Sequence, residues 1–190
     1  MNRLRSFFLF GFAWLAAVLG WFTVDVSAAS ALEVLAPSVE VWYAPEDRPL
    51  HRVVGAYEQA TQYIYVAVYG VTFPPAIRAL LVAHKRGVDV RVITDRQRMN
   101  DSKQRAAMTA LREAGVPVKV NRHDGLMHLK QVVIDDRITI SGSMNHTGSG
   151  NRYNDERLDI IRDRDLSIKA RNKFLSMWRD QNRFEDWKPS

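Results

Sequence analysis

The chain is organised around the segment HLKQVVIDDRITISGSMN, which occupies residues 128–145. Successive side chains of an extended strand point to opposite faces, so His128 and Lys130 are predicted to project from the same face. Residues 135–137 then predict a turn, followed by a returning strand rich in β-branched residues. The resulting hairpin would bring the end of the segment back beside His128.

The residue types of this hairpin suit attack on a phosphate group. An imidazole can act as nucleophile, general acid or general base, and a fixed ammonium beside it stabilises negative oxygens. Gly142 permits close approach of the backbone, while the Ser143 hydroxyl and the Asn145 amide supply neutral hydrogen bonds to a phosphoryl group. The alternative interpretation is a basic hairpin whose histidine and turn residues are purely structural.

This spacing resembles the signature of the phospholipase D superfamily, which is HxK, four residues, Asp, six residues and GSxN. Every position is matched, by His128, Lys130, Asp135, Gly142, Ser143 and Asn145. The resemblance implies that phosphodiesters are cleaved by two histidines, without a metal ion or other cofactor. One histidine attacks phosphorus to form a phosphohistidine, and the other protonates the leaving alkoxide and then activates water.

The signature occurs once, which provides half of a two-histidine site. In-line displacement places the nucleophile and the leaving group on opposite sides of phosphorus, so one imidazole cannot serve both. A second His-x-Lys is absent from the sequence, whose other histidines are His51, His84, His123 and His146. The expected solution is a twofold homodimer that places two copies of His128 across one groove. Lys130 and Asn145 of both chains would bind the non-bridging oxygens, and Ser143 would add a hydrogen bond.

The resemblance also suggests a role for Glu156, which matches a carboxylate that hydrogen-bonds and orients the histidine. A surface position on a strand is the alternative for Glu156. Asp135 belongs to the signature and is a candidate site residue, yet an Asp that opens a turn is expected to support the hairpin through local hydrogen bonds or an ion pair. His146 is a possible substrate contact, and a metal cluster of His123, Asp124 and His128 fits no zinc spacing.

Strands and helices alternate along the chain, which implies an α/β fold with a mixed β-sheet sandwiched by helices. We predict further strands over 39–43, 63–71, 88–94, 116–120 and 156–161, helices over 50–60, 76–85, 102–114 and 166–181, and a loop over 146–154. Residues 36–185 are predicted to form one catalytic domain of the phospholipase D type. The landmarks Tyr43-Ala44-Pro45 and Ala67-Val68-Tyr69 resemble the small secreted bacterial endonucleases of the superfamily, a subfamily that also includes mitochondrial and piRNA-pathway members.

The first 28 residues have the features of a secretory signal peptide. Arg3 and Arg5 precede an apolar run over residues 7–22, and small residues follow at 27–31. Cleavage would give a secreted or periplasmic protein. The alternative is a retained membrane anchor, since the apolar run is close to the shortest length that spans a bilayer.

The 190-residue chain carries a net charge of +6 and contains no cysteine. A basic chain favours anionic partners, either nucleic acid or anionic phospholipid. Candidates for tracking a phosphate backbone are Arg91, Arg96, Arg98, Lys103, Arg105, Arg122 and Arg152. The first hypothesis is a nonspecific endonuclease acting on DNA or RNA, and the second is a membrane-anchored lipid phosphodiesterase. The third, an inactive binder of nucleic acid or membrane, is disfavoured because the signature is intact.

Overall fold

Residues 36–189 are described by the computed structural model, and they contain eight strands in one sheet. The strands are β1 (Ser38–Ala44), β2 (Tyr63–Val68), β3 (Asp89–Thr94), β4 (Val118–Asn121), β5 (Lys130–Ile134), β6 (Ile138–Gly142), β7 (Glu156–Arg162) and β8 (Phe184–Asp186). The helices are α1 (Leu50–Gln59), α2 (Pro74–Lys85), α3 (Ser102–Glu113), α4 (Gly148–Arg152) and α5 (Arg164–Arg179). The predicted signal peptide lies outside the described residues.

The sheet is mixed and has the strand order β1-β7-β6-β5-β2-β3-β4-β8. The central strands β2, β3 and β4 are parallel, and all other neighbours are antiparallel. At one end of the strands, therefore, the carboxyl ends of β2, β3 and β6 lie next to the amino ends of β5 and β7. The predicted α/β fold with a mixed sheet between helices is confirmed.

The core lies on both faces of the sheet because β2 is an uncharged run that is buried at all six positions. Ile64, Val66 and Val68 belong to the larger apolar cluster, which also includes buried residues of α1, α2 and α3. On the other face α5 supplies Phe174, whose ring stacks on Tyr65 with 4.8 Å between centroids. Fully burying one such side chain contributes about 1.5–3 kcal/mol, so these two layers fix the strands that present the site.

Several predicted element bounds are wrong, and the structure contains short elements, α4 and β8 among them, that the sequence does not predict. Strand β2 ends at Val68, three residues earlier than predicted, and Val71 forms an isolated bridge with His146. The predicted loop at 146–154 contains the short helix α4, which is capped by the Thr147 hydroxyl accepting from Gly150 N at 3.1 Å. Strand β8 was not predicted, and it pairs with the edge of β4.

Helix α5 begins two residues earlier than expected. Asp163 caps it, since its carboxylate accepts from Leu166 N at 2.8 Å. Across residues 36–189 no helix is both long enough and apolar enough to cross a membrane.

Candidate active site

The loop that follows β2 joins the two halves of the motif. Tyr69 N donates to the carbonyl of Leu129 at 2.9 Å, which ties the loop to the histidine segment. Gly70 N donates to Oδ1 of Asn145 at 3.2 Å, and the Gly70 carbonyl accepts from His146 N at 2.9 Å. Residues 69–71 thus bring the amino end of β5 and the segment after β6 to the same place.

A buried polar network holds this loop in position. Gln104, fully buried on α3, accepts from Val71 N at 2.8 Å and donates to the Thr94 hydroxyl at 2.9 Å. The Thr94 hydroxyl donates to the Tyr69 carbonyl at 3.0 Å. Because a buried amide or hydroxyl left without partners costs about 1–3 kcal/mol, the network favours one loop conformation.

The segment before His128 is fixed from the carboxyl ends of β3 and β4. The buried carboxylate of Asp95 accepts from Met127 N at 2.8 Å. Asn121, also buried, donates to the Gly125 carbonyl at 2.7 Å and accepts from Arg96 N at 2.8 Å. With Met127 anchored in the core, the next residue emerges at the surface, and His128 is exposed.

His128 and Lys130 meet as their spacing suggests, although β5 begins at Lys130 and His128 precedes it. The Lys130 ammonium lies 3.0 Å from His128 Nε2 and donates to the His128 carbonyl at 2.9 Å. An ammonium can only donate, so this contact requires Nε2 without a proton and places the ring proton of a neutral imidazole on Nδ1. Nε2 therefore carries the lone pair of the ring, which can attack phosphorus once the Lys130 ammonium turns from Nε2 to a phosphate oxygen.

The ring of Tyr69 packs against both groups. Its centroid lies 5.0 Å from that of His128 in an edge arrangement and 5.4 Å from the Lys130 ammonium. Partial burial lowers the pKa of Lys130, and attraction to Glu156 offsets part of this effect. The lysine is thus held by an aromatic ring and a nearby carboxylate.

Gly142 and Ser143 link β6 to the start of β7. Gly142 has a φ of 140°, and a Cβ there would lie 2.1 Å from the Arg157 carbonyl, so only glycine fits without a backbone shift. The Ser143 hydroxyl donates to the Glu156 carboxylate and accepts from Arg157 N at 3.1 Å. Within a single described chain no hydrogen bond joins Glu156 to His128.

Asn145 has its carbonyl oxygen occupied by Gly70 N, which leaves the amide NH2 as the donor that can face a ligand. An open groove of about 640 Å3 adjoins Ser143 and Glu156, and its walls also include Tyr43 and Asp47. A larger groove of about 900 Å3 runs along α5 between Tyr63 and Arg179 and contains no motif residue.

Asp135 lies at the opposite end of β5 from Lys130, about 17 Å away at the usual rise of a strand. Its carboxylate accepts from the backbone N–H groups of Thr61, Gln62 and Tyr63 at 2.7–2.9 Å and from the Thr61 hydroxyl. The expected local contacts within the hairpin are replaced by contacts with the segment that opens β2. Asp135 therefore anchors the hairpin to the sheet and is too distant to contact a phosphate beside His128.

The two other histidine candidates, His146 and His123, do not reach the exposed surface of the site. His146 is buried, its Nδ1 lies 3.4 Å from the Tyr57 hydroxyl, and burial lowers its pKa to about 4. His123 packs edge-on against Phe184 at 5.7 Å between centroids. Among residues 36–189 no group of three or more His, Asp or Glu side chains is arranged to hold a metal ion.

Some of the residues predicted to track a phosphate backbone are engaged within the protein, and others are exposed. Arg91 pairs with Asp89 at 2.8 Å, and Arg122 lies 3.6 Å from Glu185. Arg105 donates to the Met99 carbonyl at 3.0 Å. Exposed positions are occupied by Arg96, Lys103 and Arg152, whereas the guanidinium carbon of Arg98 lies 5.7 Å from the Tyr69 ring centre.

Sequence reasoning missed three residues that shape the site, namely Tyr69, Asp95 and Gln104. In the sequence, Tyr69 is used only as a landmark of the resemblance. An aromatic residue directly after a buried strand nevertheless lies at the end of the sheet where ligand sites form. Asp95 had the same signal, because it follows the parallel strand β3. Gln104 had none, since a polar residue on an amphipathic helix is expected to face solvent.

The residues of the site lie within a region of the chain that matches a known family. Residues 54–178 match the family described as "Cardiolipin synthase, PLD-like domain". The chain is 34% identical over 122 residues to the mitochondrial cardiolipin hydrolase of Xenopus tropicalis, a match that covers 64% of this chain and 57% of that protein. It is 29% identical over 146 residues to a phospholipase D of Rickettsia felis, with 77% and 70% covered.

Among solved structures, this chain is similar to a phospholipase D family member, Nuc from Salmonella typhimurium. The TM-score is 0.73 at 29% identity, and the match covers 80% of this chain and 99% of Nuc. NucT from Helicobacter pylori shares the fold with a TM-score of 0.67 at 20% identity, with 75% and 96% covered. The chain therefore spans nearly all of the Nuc structure, but less than two thirds of the Xenopus tropicalis protein.

Proposed function

We propose that this chain, which belongs to the PLD-like domain family and has homologues that are hydrolytic phosphodiesterases, is a metal-independent endonuclease. Its substrate is DNA, with RNA as a second polynucleotide substrate, and cleavage has no sequence preference. The observation that carries the proposal is the exposed His128 imidazole with the Lys130 ammonium 3.0 Å from Nε2. A nucleophile and a cation at this distance can act on one phosphate group.

The reaction begins when Nε2 of His128 forms a bond to phosphorus and the bond from phosphorus to the leaving oxygen breaks. The leaving oxygen takes a proton from a second imidazole on the opposite side of phosphorus. That imidazole, now neutral, accepts a proton from water as the water attacks the phosphohistidine; the bond from phosphorus to Nε2 breaks, which releases the product phosphate ester and returns the lone pair to His128. Lys130 and the Asn145 amide NH2 stabilise the charge on the non-bridging oxygens throughout, which is electrostatic work otherwise done by a metal ion.

The second imidazole is the His128 of another copy of the chain. The sequence has one His-x-Lys, and the buried His146, with its pKa near 4, is neutral at physiological pH and turned into the core. A twofold dimer brings two identical half-sites face to face. Glu156 of either chain then lies near the groove, where it can orient an imidazole while Ser143 fixes its carboxylate.

Mixing experiments test the shared site directly. Wild-type chain is mixed with increasing His128→Ala chain and allowed to exchange subunits before nicking of plasmid DNA is measured in excess EDTA. If each site needs both histidines, activity per wild-type chain falls in proportion to the wild-type fraction. Activity that stays constant per wild-type chain would show that one subunit suffices, and loss of activity in EDTA would refute the metal-independent reaction.

Nucleic acid is favoured over lipid because this one domain covers 99% of Nuc but only 57% of the Xenopus tropicalis cardiolipin hydrolase. The basic charge of the chain suits either anionic substrate. The second candidate, a lipid phosphodiesterase, is supported by the relatives named as cardiolipin hydrolase and phospholipase D. Release of phosphatidate from cardiolipin vesicles is therefore measured beside plasmid nicking, at equal enzyme and in EDTA. Faster turnover of cardiolipin than of DNA would reverse the assignment of substrate.

Export is proposed from the sequence alone. The predicted cleavage after residue 28 would release the catalytic domain of residues 36–185 in a secreted or periplasmic chain, whereas retention of the segment would anchor it to the membrane. The mass of the protein isolated from its native cells distinguishes the two forms.

A further inference from the structure

Arg98 lies beside the site without belonging to the motif. It is in the short 3-10 turn Gln97–Asn100 that follows β3. Its guanidinium carbon lies 5.7 Å from the centre of the Tyr69 ring, the same ring that lies 5.4 Å from the Lys130 ammonium. Two cations are thus held around one aromatic ring, whose electron-rich face attracts each of them.

The backbone at Gly70 brings Arg98 close to the motif amide. A Cβ built on Gly70 would lie 3.6 Å from Nε of Arg98 and 3.7 Å from Cγ of Asn145. Both side chains therefore pass over the same glycine, where a larger residue would contact them. Arg98 consequently approaches the site from the side of Asn145.

The donors of Arg98 are poorly used by the protein. Its Nε is buried and has no hydrogen-bond partner among residues 36–189. The nearest carboxylate is that of Asp101, 3.7 Å from a terminal nitrogen, which is too long for a hydrogen bond. Asp101 is itself engaged in capping α3, because its other oxygen accepts from Gln104 N at 2.9 Å.

The Arg98 side chain is 30% exposed, so the terminal nitrogens of its guanidinium, and not the buried Nε, can reach an anion. Its planar fork matches two oxygens of a phosphate group, and charge-assisted hydrogen bonds of this kind are the strong ones. Lys130 and Asn145 already face the phosphate that His128 would attack. Among residues 36–189 Arg98 has no direct contact with His128 or Lys130 and shares only the Tyr69 ring with them, so its guanidinium is available to a neighbouring phosphate.

We propose that Arg98, held on Tyr69, binds the phosphate next to the one that is cleaved. The inference rests on the proposed nuclease function and narrows it, because it gives the site a preference for strands with successive phosphodiesters. A substrate with one isolated phosphodiester would be cleaved without help from this residue.

Two short DNA strands of the same sequence test the inference. One strand has phosphodiesters throughout, and the other has a single phosphodiester flanked by uncharged methylphosphonate linkages. We compare kcat/KM of the wild type and Arg98→Gln on both strands, per cleavable bond. The matched control is Arg137→Gln, which removes the same charge from an exposed residue in the turn between β5 and β6.

We expect Arg98→Gln to lose about tenfold or more in kcat/KM on the fully charged strand, mostly through KM, which is the size of one charge-assisted contact. On the strand with neutral flanking linkages it should stay within about twofold of the wild type. Arg137→Gln should match the wild type on both strands. Arg98→Lys, which keeps the charge and loses the fork, should recover part of the loss.

An equal loss on both strands would overturn the inference, because Arg98 would then act on the reacting phosphate or on the fold. Equal activity of Arg98→Gln and wild type on the charged strand would overturn it as well. Thermal melting of each variant separates a folding defect from a lost contact. Failure of the wild type to cleave either strand would instead reject the proposed nuclease function.

Discussion

The two ends of strand β5 carry residues of the same sequence signature in opposite surroundings. At the open end, His128 is exposed and its recorded partner is the Lys130 ammonium. At the closed end, the Asp135 carboxylate is buried and accepts from three backbone N–H groups and one hydroxyl. Residues of one signature therefore differ in function. The imidazole and the ammonium at the open end can bind a ligand, whereas the Asp135 carboxylate is fully used by hydrogen bonds within the fold.

The largest effect is expected at the open end, where His128→Ala removes the proposed nucleophile. Turnover of DNA should fall by at least about a thousandfold, because no other side chain can form the covalent intermediate. The free energy of unfolding should change by less than about 0.5 kcal/mol, since the side chain is exposed. Plasmid nicking and urea unfolding of the same preparation measure the two quantities.

His51→Ala is a matched control, because this second exposed imidazole lies on α1, outside the motif. It should keep wild-type turnover. If His128→Ala retained more than a tenth of the activity, the chemistry would have to be assigned to another residue.

At the closed end the expected effect is on stability. Asp135→Ala leaves three backbone N–H groups without their acceptor, and each such loss costs about 1–3 kcal/mol. We expect at least about 3 kcal/mol of destabilisation, with normal turnover for the fraction that remains folded. Urea unfolding measures the first quantity, and activity per folded molecule measures the second.

The same carboxylate makes the fold sensitive to acid. Burial raises the pKa of Asp135, but hydrogen bonds from the backbone at residues 61–63 outweigh burial and lower it below 3.8 overall. A lowered pKa gives stability that is present above the unfolded value and lost as pH falls through the folded value. The difference in stability between wild type and Asp135→Asn should therefore shrink below about pH 4. A difference that stays constant at lower pH would contradict this origin.

His146 is the exception that sharpens the comparison, because it is a titratable group buried beneath the open end. Burial lowers its pKa from 6.5 to about 4, so the unfolded chain binds a proton that the folded chain excludes. Stability is then present above pH 6.5 and is lost as pH falls towards 4. The loss should be on the order of 2 kcal/mol at pH 5 relative to pH 8.

His146→Gln should abolish that part of the acid sensitivity, whatever its effect at neutral pH. Unfolding by urea at pH 5 and pH 8 for both proteins gives the required difference. Equal pH dependence of wild type and variant would mean that His146 titrates normally and is more accessible to water than its burial indicates.

The sequence could predict much of the open end and little of what supports it. The mixed sheet and the meeting of His128 with Lys130 follow from strand periodicity and from the superfamily spacing. The closed end was misjudged because the partners of Asp135 are more than 70 residues away, at Thr61 and Tyr63, and such pairing leaves no local signal. Strand β8 was missed for a related reason, since three residues with two acids become a strand only through the exposed edge of β4.

The smallest effect concerns the charge of Lys130, which the open end leaves only half-buried. Burial lowers its pKa, and Glu156 opposes that shift. In Glu156→Gln the opposition is removed, so the pKa of Lys130 should fall further and the ammonium should lose its proton at a lower pH. The alkaline limb of the pH profile of kcat/KM should consequently move to lower pH.

The comparison variant is Asp155→Asn, which removes an exposed carboxylate one residue earlier. Because screening by water weakens the effect of an exposed charge, this variant should leave the alkaline limb unchanged. A shift in both variants would point to the general field of the groove, and a shift in neither would mean that another group titrates there. Movement of the limb in Glu156→Gln alone identifies the Lys130 ammonium as the group that must stay charged. The Asp135 carboxylate at the closed end cannot influence this ammonium, because the two residues are about 17 Å apart.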